Sequence, residues 1–100
     1  MEIDVSKVSG VGDFTEKEEK ERTLFLVNER VFLVVRKNTI EVRTDKNLRK
    51  MLCERFESVM ESRYFGKGGV EVVLSGQIPE DEVEDLVRLS YNLTKEMKEE

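Results

Sequence analysis

Side chains able to make or break covalent bonds are scarce in this sequence. It has no histidine and one cysteine, Cys53. Neither a Cys/His zinc set nor a histidine-assisted serine or cysteine nucleophile can be assembled from such residues. The acidic run Glu80-Asp81-Glu82-Val83-Glu84-Asp85 attracts cations, but it follows Pro79 directly. Proline opens helices, and carboxylates in a first helical turn complement the positive end of the helix dipole. The glycines of Ser9-Gly10-Val11-Gly12 and Gly66-Lys67-Gly68-Gly69 lack the spacing of phosphate-binding loops. The expectation is a protein that is not an enzyme and holds no metal and no cofactor.

What the residue types do offer is attraction for anions. Arg36, Lys37, Arg43, Lys46, Arg49 and Lys50 fall on one expected hairpin tip and the start of the helix after it. Arg63, Tyr64, Phe65 and Lys67 form a basic-aromatic loop. Basic side chains contact phosphates, and aromatic rings stack on bases. The charge is unevenly spread. Residues 1–29 carry four basic and eight acidic side chains, residues 30–67 ten and five, and residues 68–100 three and nine. A basic middle lies between acidic ends. The opposing reading is that these cations pair locally with Glu41, Glu54 and Glu57 on a solvated face, as the isoelectric point near 5.0 suggests.

The elements that must position these residues follow from periodicity. Ile3, Val5 and Val8 suit a short strand, and Thr15 to Arg22, without an apolar residue, suits an exposed helical turn or a loop. Leu24–Val27 and Val31–Val35 are β-prone runs split by Asn28-Glu29, a hairpin pattern, and the second run is apolar on both faces. Ile40 and Val42 alternate with Thr39, Glu41 and Arg43, predicting a strand with one wet face. Thr44-Asp45 caps a helix whose apolar stripe, Leu48, Met51, Leu52, Phe56, Val59 and Met60, extends it to about Ser62. A glycine-rich loop over residues 63–69 leads to a strand marked by Val70, Val72 and Leu74. The last helix starts at Pro79, with Val83, Leu86, Val87, Ser90, Leu93, Thr94 and Met97 inward, and Ser90 and Thr94 bonded back to helix carbonyls. The class is α+β: an antiparallel sheet of four to five strands with two main helices packed on it.

One hundred residues suit a single domain over 1–100, with 1–22 the least defined segment and 23–98 the sheet-and-helix core. Charged residues make up 39% of the chain, rich in Glu and Lys, a thermophile-like balance. A lone cysteine in an apolar helical pattern reads as a small core residue and fits a reducing compartment. No apolar run approaches the roughly twenty residues of a membrane span. The start Met1-Glu2-Ile3-Asp4 is acidic where a signal peptide is basic, so the expected location is the cytoplasm and no membrane is expected as a partner.

From about Glu29 onward the sequence resembles the MmcQ/YjbR-like family of predicted DNA-binding proteins. The likeness rests on Arg30-Val31-Phe32, on Ile40-Glu41-Val42-Arg43-Thr44-Asp45, on Gly68-Gly69-Val70-Glu71-Val72-Val73-Leu74 and on Ile78-Pro79-Glu80-Asp81-Glu82-Val83. Its best match is Leu86-Val87-Arg88-Leu89-Ser90-Tyr91-Asn92-Leu93, where the family closes its last helix with a Ser-Tyr pair. Val70 stands where the family has a tryptophan, and the family's N-terminal helix is not visible in residues 1–22. The TfoX N-terminal domain has a related strand pattern and is a weaker match. The resemblance implies a two-layer architecture and weak, non-sequence-specific binding of DNA or RNA. The alternative is a protein-interaction module that pairs as a homodimer through the sheet face its helices leave open.

Overall fold

The computed structural model describes residues 4–97. Six strands follow one another through the chain: β1 (Thr15–Glu19), β2 (Arg22–Val27), β3 (Arg30–Val35), β4 (Thr39–Arg43), β5 (Val59–Ser62) and β6 (Gly66–Val73). They form one antiparallel sheet in the order β1-β2-β3-β4-β6-β5. Helix α1 (Lys46–Arg55) crosses over from β4 to the far edge, and α2 (Glu80–Lys95) closes the fold. The class is the expected α+β, with six strands rather than four to five.

Local chemistry accounts for most junctions. Asn28 and Glu29 have φ of 52° and 67°, so the β2–β3 turn is the two-residue, left-handed kind that matches strand twist. Asp45 caps α1, accepting from the Leu48 N–H at 2.7 Å. In β3 the register passes from Phe25 opposite Leu33 to Leu26 opposite Val31, leaving Phe32 as an extra residue. This bulge turns both Phe32 and Leu33 toward the helices, while Val31 and Val34 face the other way.

Both helices lie on one side of the sheet, α2 over β2, β3 and β4, and α1 over β5 and β6. Their apolar stripes share one core with Phe25, Phe32, Ile40, Val42, Val70 and Val72. The segment before β1 joins it too: Val5 and Val8 are buried, and Phe14 meets Phe25 edge-on at 5.6 Å. Cys53 is half-buried against the same core.

Four local expectations are corrected. Thr15 to Arg22 is an edge strand and its turn, because pairing with β2 supplies the backbone partners that its side chains do not demand; its charges suit an exposed edge. The first helix stops at Arg55, where Phe56 turns extended, and Val59 and Met60 enter β5. A short apolar run fits either period, and pairing with β6 decides it. The glycine-rich loop is a turn, Arg63 to Phe65, followed by strand from Gly66. Val5–Lys7 forms a 3-10 turn in place of the short strand, whose Ile3 lies outside the described residues.

Candidate nucleic-acid interface

The face without helices carries the chemistry. Strand side chains alternate, so Glu41 lies opposite the core residues Ile40 and Val42, and Glu71 opposite Val70 and Val72. The wet face expected of β4 is thereby corrected, since Glu41 is fully buried. Its cover is the β5–β6 turn, which folds back across the sheet as a strap. Glu41 holds that strap: Oε1 accepts from the Ser62 hydroxyl at 2.7 Å and from the Tyr64 N–H at 2.8 Å, and Oε2 accepts from Arg36 Nε at 2.7 Å.

Glu41 and Glu71 are direct cross-strand partners, and like charges so placed repel. Two guanidinium groups offset this. Arg36 takes Glu41, and Arg63 donates from Nε and Nη2 to the two oxygens of Glu71 at 2.9 and 2.7 Å. Burial alone raises the Glu41 carboxyl. The Tyr64 amide, Arg36 and Ser62 outweigh it and bring Glu41 below the ordinary glutamate range. The hydrogen bond from Arg63 holds Glu71 low in the same way, against the opposing pull of burial.

The rings of the strap lie on this frame. Phe65 packs with Leu24, Val31 and Val34, and the Arg43 guanidinium sits 4.8 Å above it. Tyr64 meets Phe65 edge-on at 4.9 Å, with Arg22 from β2 at 5.2 Å from its ring. Gly69 makes room, because a Cβ there would lie 2.4 Å from the Val42 carbonyl oxygen and 2.9 Å from Phe65 Cβ.

Arg43 is also tied from behind. Its Nε donates to the Val31 carbonyl at 2.8 Å, and its N–H donates to Ser90 Oγ at 2.7 Å. The Ser90 hydroxyl in turn donates to the Phe32 carbonyl at 2.5 Å. Arg36 and Thr39 form a bonded pair, so alternation makes Phe32 and Arg43 the pair that should also bond. The Ser90 hydroxyl is inserted between them. Ser90 thus bridges two strands rather than bonding back to its own helix, whereas Thr94 does bond back, to the Ser90 carbonyl at 2.8 Å.

The ten basic and aromatic candidates do not form one patch. Arg36, Arg43, Arg63, Tyr64 and Phe65 share the helix-free face, with Lys37 at its rim in a depression lined by Arg36, Asn38 and Arg63. Lys67 is exposed where the strap enters β6. Lys46, Arg49 and Lys50 belong to α1, across the sheet, where Arg49 lies 3.8 Å from Glu61. Arg22, Glu71 and Ser62 are the members that sequence periodicity does not single out; Ser90 is expected to face inward, and Glu41 to pair with these cations, as it does with Arg36.

The fold is matched by known proteins. The family model described as YjbR matches residues 11–93. The chain belongs to the YjbR family. A solved YjbR-type fold is similar: the crystal structure of Deinococcus radiodurans protein DR2400, a DUF419 domain, superposes with a TM-score of 0.81. It is 19% identical, over 91% of this chain and 75% of that one. The TfoX likeness receives no support from these matches, and no significant match is found among curated proteins. The Ser-Tyr pair of the YjbR resemblance is now explained by packing, Ser90 as the strand bridge and Tyr91 against Phe32 at 5.1 Å.

Among the described residues, no group of three or more His, Cys, Asp or Glu is placed to hold a metal ion. Among the same residues, no helix is long and apolar enough to cross a membrane.

Proposed function

We propose that this YjbR-family chain is a non-catalytic binder of single-stranded DNA or RNA, weak and indifferent to sequence, acting through the helix-free face. One observation carries the reading: Tyr64 is the one exposed aromatic ring among the described residues, and it is held amid arginines. A ring fixed by Arg22 and Phe65 is ready to stack without further ordering. Arg63 is bonded to Glu71 through two nitrogens, and its side chain remains 63% exposed toward a phosphate. Lys37 at the rim adds a second cation. Few phosphate contacts and no base-reading motif give low affinity that falls with salt.

Retardation of an oligothymidylate at low and physiological salt tests this. Tyr64→Ala combined with Lys37→Glu should lower affinity at least about tenfold through lost stacking and lost charge. Reversing Lys46, Arg49 and Lys50 to Glu should cost much less, because α1 is on the opposite side. Loss confined to the α1 triple, with the Tyr64 and Lys37 variant unaffected, would overturn the assignment of the face. Denaturant midpoints alongside separate either result from unfolding.

A further inference from the structure

The opposite side of the molecule holds a second feature that nucleic-acid binding does not use. The two helices lie on the same core but do not pack along each other. Between them opens a groove of about 220 Å³, floored by Leu52, Phe56, Ile78 and Leu86 and rimmed by Arg55, Glu82 and Asp85. Its floor is apolar, and two carboxylates from the start of α2 stand at its rim: Glu82, and Asp85, which is paired with Arg88 at 2.6 Å and is 65% exposed. Glu80, Asp81 and Glu84 neighbour them in sequence. Arg55 reaches over the mouth to Glu82 at 3.7 Å, with the two side chains 59% and 39% exposed. An ion pair that open contributes little and yields readily to another cation. The Arg55 guanidinium also lies 4.8 Å from the Phe56 ring, so it covers part of the floor until displaced.

We propose that this groove docks a basic peptide segment of a partner protein, one bulky apolar side chain entering between α1 and α2 while flanking lysines or arginines replace Arg55 at Glu82 and reach Asp85. The size and apolar floor suit one large side chain, and the acidic rim sets the sign of its neighbours. An acidic peptide is disfavoured at this rim. The two faces then serve different partners, so the chain can join an anionic strand to a basic protein segment.

The test uses the full chain and two synthetic probes, Lys-Lys-Leu-Lys-Lys and the same peptide with serine for leucine. In two-dimensional NMR the leucine peptide should bind saturably and shift the amides of Leu52, Phe56, Ile78 and Leu86. The serine peptide should bind about tenfold more weakly, the loss expected for one unburied aliphatic side chain. Glu82→Gln with Asp85→Asn should weaken the leucine peptide by a similar factor at an unchanged denaturant midpoint. Equal binding of the two peptides, shifts elsewhere on the surface, or no binding at all would overturn the proposal. None of these results depends on whether an oligonucleotide binds the other face.

Discussion

Ser90 shows how a small polar residue is fixed by its surroundings. It is fully buried, and its hydroxyl satisfies one donor and one acceptor on two different strands. Ser90→Ala leaves the Arg43 N–H and the Phe32 carbonyl facing a gap and should destabilise by about 1–3 kcal/mol. Ser90→Leu adds overpacking against β3 and should cost more. The adjacent Tyr91 donates its hydroxyl to the Asp13 carbonyl at 2.9 Å, tying the segment before β1 to α2. Tyr91→Phe should therefore cost about 1 kcal/mol rather than nothing. Denaturant midpoints of the three variants check the ranking. Glu41 makes a prediction about acid. Its carboxyl sits below the ordinary value of 4.5 in the folded chain, so the unfolded chain binds the proton more readily. The stabilisation is complete above that value and is lost as pH falls through it toward the lower folded one. Glu41→Gln should lower stability at neutral pH by about 1–3 kcal/mol, since Arg36 loses its partner, and should flatten the loss of stability below the ordinary glutamate range. An acid-unfolding curve as steep as that of the parent chain would refute this role.

At the scale of elements, the strap decides what the second sheet face becomes. Leu24, Val31 and Val34 are buried there although no helix lies over them. Phe65 and the arginine stems provide the cover. Three of the large rings are in this way used within one chain, Phe25 and Phe32 in the core and Phe65 on the sheet. Gly69 is where the strap lies closest to β4. Gly69→Ala should push Phe65 off the sheet or displace Val42, destabilising by about 1–3 kcal/mol through overpacking. It should also weaken any oligonucleotide retardation, because Tyr64 loses its support. A variant of parental stability whose Phe65 ring keeps its NMR shifts would show that the strap tolerates a Cβ.

Across the whole molecule, with its net charge of −5, neither side of the sheet is of one sign. Arg22, Arg36, Arg43 and Arg63 gather over the helix-free side, while the acidic start of α2 borders the groove on the other. The basic middle read along the chain is split by the sheet. Arg36 and Lys37 stay with the strap, while Lys46, Arg49 and Lys50 are carried to the far side by α1. For this reason the reversal of the α1 lysines and arginine serves as the control for Tyr64 and Lys37.

Features with a local cause were legible in the residues alone. Asn28-Glu29 between two β-prone runs specified the hairpin, Asp45 the start of α1, and the stripe from Val83 to Thr94 the inward side of α2, because turn and period depend on neighbours a few residues apart. The family was legible too, through short motifs that survive in order. Tertiary structure decided which polar groups are inside. Glu41 looks solvent-facing in its alternating strand, yet it is buried by Ser62 and Tyr64, more than twenty positions away. Arg43 meets Ser90 across a separation of 47 residues. Likewise the limit of α1 was set by pairing with β6 rather than by its own apolar period. Alternation says only which side of a sheet a residue takes, and whether that side is wet depends on what distant chain folds over it.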